Sequence, residues 1–96
     1  MWVLVAYDVS TEDAAGRKRL RRVAKACEKY GQRVQKSLFE CQVDSMTLEK
    51  LRAQLLMEIR VQEDNLRIYH LGNAHDKVVE QYGATRTIDF QEPLIL

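Results

Sequence analysis

The chain has 96 residues, 46% of them hydrophobic and 30% charged, with a formal net charge of +1. That length makes one domain and buries roughly 60–70% of the unfolded chain's surface. The N-terminal apolar run is too short to span a bilayer and lacks the basic leader and cleavage site of a secretory signal, so a cytoplasmic globular protein without membrane contact is expected.

Six apolar residues, Trp2 to Tyr7, open the chain and are followed by Asp8. β-branched and aromatic residues in an unbroken run predict a strand buried on both faces. A carboxylate where such a strand leaves the core is held by rigid backbone and still reaches solvent, which suits a metal ligand. It equally suits a residue that only ends the strand and prepares the next helix.

Ser10 or Thr11 is placed to cap that helix, with Glu12 and Asp13 at the positive end of its dipole. The helix is predicted to run to Tyr30 and to stop at a left-handed Gly31. Leu20, Val23, Ala24, Cys27 and Tyr30 recur at helical spacing and form an inward stripe, which leaves Lys18, Arg22, Lys25 and Lys29 on the outer side. From Arg17 to Lys36 there are nine bases and a single acid, Glu28. A one-signed block of this kind is either solvated surface or a footprint for a polyanion; its continuation through Arg33 and Lys36 favours phosphate-backbone binding. It contains no pattern that reads base edges, so recognition by shape and charge is expected.

Residues 33–43 read as β, with Phe39, Cys41 and Val43 on one face and Val34 and Leu38 on the other. Their phase breaks around Lys36 to Leu38, which predicts a bulge or a tight passage between two strands. Asp44 and Ser45 open a second helix, in which Leu48, Leu51, Leu55 and Ile59 form the apolar side over three to four turns. Leu66, Ile68 and Leu71 mark a further strand, ended by Gly72. Val78, Val79 and Tyr82 fit either a strand or a short helix before Gly83. Thr85 to Phe90 alternates weakly, and Pro93 precedes an apolar Leu94-Ile95-Leu96 end that wants cover from another subunit. The order β-α-β-β-α-β predicts a single α+β domain over residues 1–96, a ferredoxin-like sandwich with an appended C-terminal extended segment from residue 72 onward. Cys27 and Cys41 are expected to be buried free thiols, and His70 and His75 have no zinc-ligand context.

Asp8 alone makes a poor metal site, and no second acid lies beside it in the sequence. Magnesium keeps several waters and accepts one or two protein carboxylates. A two-fold dimer that sets Asp8 against its symmetry mate would supply two from one position. Binding through carboxylates weakens as pH falls, and a bound metal can activate water or polarise a phosphate without a histidine base.

Tyr7-Asp8-Val9, the pair Arg19-Leu20, the run from Gly31 to Glu40 (GQRVQKSLFE) and Asp64-Asn65-Leu66-Arg67-Ile68-Tyr69 occur in this order at this length. Together they resemble the small universal CRISPR-associated endonuclease family of spacer acquisition, the companion of the CRISPR integrase. The resemblance covers residues 1–72 well and the tail loosely. It implies a homodimer of ferredoxin-like subunits whose two Asp8 carboxylates face each other and bind Mg2+. It also implies an endonuclease acting on single-stranded RNA or double-stranded DNA, or a DNA-binding scaffold for the integrase. Tyr7, Arg17, Arg19, Arg33, Ser37 and Phe39 match positions the family uses around the cleft or for nucleic acid. With Lys18, Arg22, Lys25 and Lys29 of the outer helix face, the three arginines are the expected nucleic-acid contacts, and Tyr7, Ser37 and Phe39 the cleft supports. Tyr7 and Asp8 must point to opposite faces of a strand, so Tyr7 suits packing better than chemistry. The competing classes are a purely structural scaffold and a toxin-type ribonuclease of the same fold.

Overall fold

The structure is a computed structural model that describes residues 1–83; the expected extended segment at Thr85 to Phe90 and the apolar end Leu94 to Leu96 lie outside the described residues. The elements follow as β1 (Trp2–Asp8), α1 (Ala14–Glu28), β2 (Gly31–Gln35), β3 (Leu38–Gln42), α2 (Ser45–Glu58), β4 (Asn65–Gly72) and a single turn α3 (His75–Val78). The sheet order is β2-β3-β1-β4 with every neighbouring pair antiparallel. This is the ferredoxin-like sandwich expected from the order of elements.

Strand alternation decides which residues the helices cover. Val3 pairs with Cys41, Val5 with Phe39 and Ile68, and Tyr7 with Leu66. These side chains share one face with Val23, Ala26 and Cys27 of α1 and Leu48, Leu51 and Leu55 of α2, and together they form the core. The other face carries Leu4, Ala6 and Asp8 of β1 beside Leu38 and Glu40 of β3 and Asn65, Arg67 and Tyr69 of β4. No helix α1 or α2 covers it: Leu4, Ala6 and Leu38 are half-buried and Tyr69 is 43% exposed. The expectation that β1 is buried on both faces is therefore corrected. Its unbroken apolar run reflects one packed face and one apolar face left open among the described residues.

Local chemistry moves two other boundaries. Asp13, rather than Ser10 or Thr11, caps α1, its carboxylate accepting the Gly16 N–H at 2.7 Å. Gly16 is needed because a Cβ there would lie 1.8 Å from the Ser10 carbonyl oxygen. Gly31 does not stop the helix in a left-handed conformation. It begins β2, where a Cβ would meet the Glu40 carbonyl at 2.3 Å and Cys41 Sγ at 2.5 Å. Close strand packing, not backbone conformation, requires the glycine. Asp44 caps α2 by accepting the Thr47 N–H at 2.7 Å, as its position next to Ser45 suggested. Lys36 and Ser37 form the tight passage between β2 and β3, and the register slips between Arg33 and Gln35.

Candidate active site

Asp8 ends β1 on the open side of the sheet, and its side chain is exposed. Its cross-strand neighbour is Asn65, the first residue of β4. Among the described residues the Asp8 side chain makes no hydrogen bond and no ion pair. Its carboxylate is held by a strand paired on both sides and keeps its oxygens free for water, metal or a hydrogen-bond donor.

The residues expected to support a cleft lie on the opposite side of that strand. Tyr7 is 5% exposed and stacks on Phe39 with ring centroids 6.2 Å apart. Its hydroxyl donates to the Lys36 carbonyl at 3.3 Å, while its N–H donates to the Ser37 carbonyl at 3.1 Å. Burial, partly offset by the Arg33 charge, pushes the Tyr7 hydroxyl up to about 12, so it stays protonated at neutral pH. Ser37 enters this arrangement through its backbone. Tyr7 and Phe39 support Asp8 from beneath, as core residues, and do not line a common cleft with it.

Arg33 belongs to the same buried cluster, contrary to its expected place on the nucleic-acid face. It is 4% exposed; Nη1 donates to the Lys36 carbonyl at 3.0 Å, Nη2 reaches Glu28 at 3.4 Å, and the guanidinium lies 4.8 Å above the centre of the Phe39 ring. Alternation along β2 turns Arg33 inward, and the planar cation finds a carbonyl, a carboxylate and an aromatic face there. The acid that interrupts the basic block, Glu28, is its counter-ion.

Arg19 also leaves the outer face. Its side chain is 11% exposed and forks onto Asp64, with Nε to Oδ2 at 2.9 Å, while Nη2 also reaches Glu63 at 3.1 Å. Arg17, Lys18, Arg22, Lys25 and Lys29 remain exposed along α1, joined by Arg21. Arg17 bonds the Thr11 carbonyl at 3.3 Å, and Arg22 approaches Glu58 at 4.0 Å. A pair as exposed as the latter holds Arg22 only weakly. The outward stripe is thus narrower than the sequence block but still one-signed.

At the far end of β1, His75 of α3 bonds Glu40 at 2.7 Å, and its ring lies 4.4 Å from that of Trp2. These three residues, with Tyr30, Gln32 and Gln42, line a shallow cavity of about 320 Å³. Among the described residues, no three His, Cys, Asp or Glu side chains are grouped to hold a metal ion. No helix among them is long and apolar enough to cross a membrane.

A profile of CRISPR associated protein Cas2 matches residues 1–79. The chain belongs to the Cas2 family. It is 51% identical to CRISPR-associated endoribonuclease Cas2 1 of Moorella thermoacetica over 96 residues, covering all of both chains. It is 54% identical to CRISPR-associated endonuclease Cas2 of Halalkalibacterium halodurans over 95 residues, covering 99% of each. Among solved structures, Streptococcus pyogenes Cas2 superposes with a TM-score of 0.77 at 49% identity, over 86% of this chain and 100% of that one. The relatives align through the tail, beyond the residues 1–72 that carried the resemblance. A CRISPR nuclease-family role follows from these matches.

The hub at Asp64 was not found as a functional feature from the sequence of this Cas2-family chain. The acid follows Arg60-Val61-Gln62-Glu63 and reads locally as a turn residue. Its partners Arg19 and Ser10 lie 45 and 54 residues away, so no local pattern announces it. The charge block offered one signal: Arg19 falls between the helix's apolar and outer faces.

Proposed function

We propose that the chain works as a two-fold dimer whose paired Asp8 carboxylates hold Mg2+ and cleave phosphodiester bonds of single-stranded RNA or double-stranded DNA. In the same proposal, the basic faces of α1 bind duplex DNA and serve as a scaffold for the CRISPR integrase. One observation carries the reading: Asp8 is the exposed, unpartnered end of the row Leu4, Ala6, Asp8 on the open sheet face. The half-buried apolar part of that face, with Leu38 and Tyr69, supports docking of a second copy. Docking there brings together carboxylates that one chain supplies singly.

An exposed carboxylate on a rigid strand fits magnesium, which takes few protein ligands and retains water. When bound, the metal supplies Lewis acidity and a more acidic water. Asp8 would hold that ion, the buried Tyr7–Phe39 layer keeps the strand end stiff, and the α1 cations would hold the polyanion by charge. The names of the relatives, endoribonuclease and endonuclease, support the same chemistry. The scaffold role rests on Lys18, Arg22, Lys25 and Lys29 and does not require Asp8.

Asp8→Ala is expected to lower Mg2+-dependent cleavage of RNA and DNA by about a hundredfold or more while sedimentation still reports a dimer. Cleavage at the wild-type rate would remove Asp8 from the chemistry, and a monomeric wild-type protein would remove the shared site.

A further inference from the structure

Asp64 lies in the connection between α2 and β4, and its side chain has no exposed surface. Its Oδ1 accepts the Ser10 backbone N–H at 3.1 Å and Arg19 Nη2 at 3.2 Å. Its Oδ2 accepts Arg19 Nε at 2.9 Å and the Arg60 backbone N–H at 2.9 Å. Burial alone would raise the Asp64 carboxyl, but the Arg19 bonds and the two backbone donors outweigh it and hold it below the usual carboxylate range.

What this carboxylate fixes is the backbone on either side of Asp8. Ser10 follows Asp8 by two residues, and Asn65, directly after Asp64, is the cross-strand partner of Asp8. One buried anion therefore ties the exit of β1 to the entry of β4. The start of α1 closes the same joint, because Gly16 packs tightly on the Ser10 carbonyl. Arg19 neutralises the anion, and its fork is occupied by Asp64 and Glu63.

We propose that Asp64 is a positioning residue for Asp8, and that Arg19 acts through Asp64 rather than by touching nucleic acid. This rests on the reading of Asp8 as a metal ligand. A ligand displaced by even a fraction of an ångström at a shared site no longer meets its counterpart, so the joint sets metal affinity. None of Lys18, Arg22, Lys25 and Lys29 bonds to Asp64, whose partners are Ser10, Arg19 and Arg60, so the basic stripe does not depend on the joint.

The test uses the full chain with Mn2+ as the probe, its binding followed by the loss of the free-ion EPR signal. Measurements are made at a temperature where circular dichroism shows every variant folded. Asp64→Asn is expected to weaken Mn2+ binding about tenfold or more, with affinity for a DNA duplex at fixed salt changed less than about twofold. Arg19→Lys keeps a cation beside Asp64 but loses the fork; it is expected to weaken Mn2+ binding in the same direction, and it reads out the effect should Asp64→Asn not fold. Leu48→Ala destabilises the core at the start of α2, the end of that helix opposite the joint, and is expected to keep wild-type Mn2+ affinity. Wild-type Mn2+ affinity in both Asp64→Asn and Arg19→Lys, or an equal loss in Leu48→Ala, overturns the positioning role. Weakened duplex binding by Arg19→Lys with unchanged Mn2+ affinity overturns the assignment of Arg19. Asp8→Ala that binds Mn2+ like the wild type overturns the metal reading itself, and that result is distinct from the others.

Discussion

The two faces of the sheet treat similar residues in opposite ways. On the helix-covered face, Tyr7, Arg33 and Phe39 are packed together, and the polar groups of Tyr7 and Arg33 converge on the Lys36 carbonyl. On the open face, one residue further along the same strand, Asp8 stands exposed at the end of an apolar row. A motif that looks continuous in sequence is therefore split into a structural half and a half left free to react. Residues adjacent in a strand face opposite environments, so their closeness in sequence says little about a shared task.

Substitutions on the two faces should separate in what they damage. The largest effect belongs to the covered face. Phe39→Ala removes a fully buried ring from under Arg33 and beside Tyr7 and is expected to cost about 3–5 kcal/mol in urea unfolding. Asp8→Ala should stay within about 0.5 kcal/mol in the same experiment, because an exposed, unpartnered side chain contributes little to the fold. Equal losses for the two would erase the distinction.

A smaller effect concerns binding by the outer stripe. Reversing Lys18, Arg22, Lys25 and Lys29 to Glu together is expected to weaken duplex affinity at least about tenfold near 0.1 M salt and to flatten the dependence on salt. The same charge reversals should cost far less stability than Phe39→Ala, since all four side chains are exposed and the Arg22–Glu58 pair is weak. Binding that survives them with an unaltered salt slope would place the DNA surface elsewhere.

Alkaline pH gives the mildest contrast. Burial pushes Tyr7 and Cys27 up to about 12 and Cys41 to about 11. Each raised group favours its protonated form in the folded state, so its contribution is fully present below its ordinary value. That contribution is lost as pH rises toward the folded value. Unfolding followed against pH should therefore show stability falling from about pH 9 upward, first through the thiols and then through Tyr7. Removing the open-face Asp8 should not alter that limb. A flat profile to pH 11 would mean that the three groups are not held in the covered core.

Periodicity was enough for the scaffold. The apolar steps of both helices, the inward Phe39-Cys41-Val43 face, the Asp44 cap and the break at Lys36 to Leu38 all depend on neighbours a few residues apart. The ferredoxin-like order followed from those elements, and the four motif segments between Tyr7 and Tyr69, taken together in their order, carried the resemblance to the family. The same local reading overextended α1 toward Ser10 and gave Gly31 a left-handed role. Asp13 competes successfully for the cap, and the reason for Gly31 lies across the sheet in Glu40 and Cys41.

The candidate site was legible only in part. Asp8 stood out because a charge after six apolar residues is conspicuous, and the outer α1 cations because like charges recur at helical spacing. Arg19 and Arg33 were grouped with those cations as members of one charge block, since charge does not reveal direction and the position of Arg19 between the two helix faces was the single signal against it. Tertiary structure turned one toward Asp64 and the other onto Phe39. Among the described residues it also left one face of an apolar strand uncovered, and it tied the Asp8 joint to a carboxylate more than fifty residues away. The physical reason is range: helical and strand periods are set by the chain's own geometry, whereas a buried ion pair and an open face depend on which distant segments fold against each other.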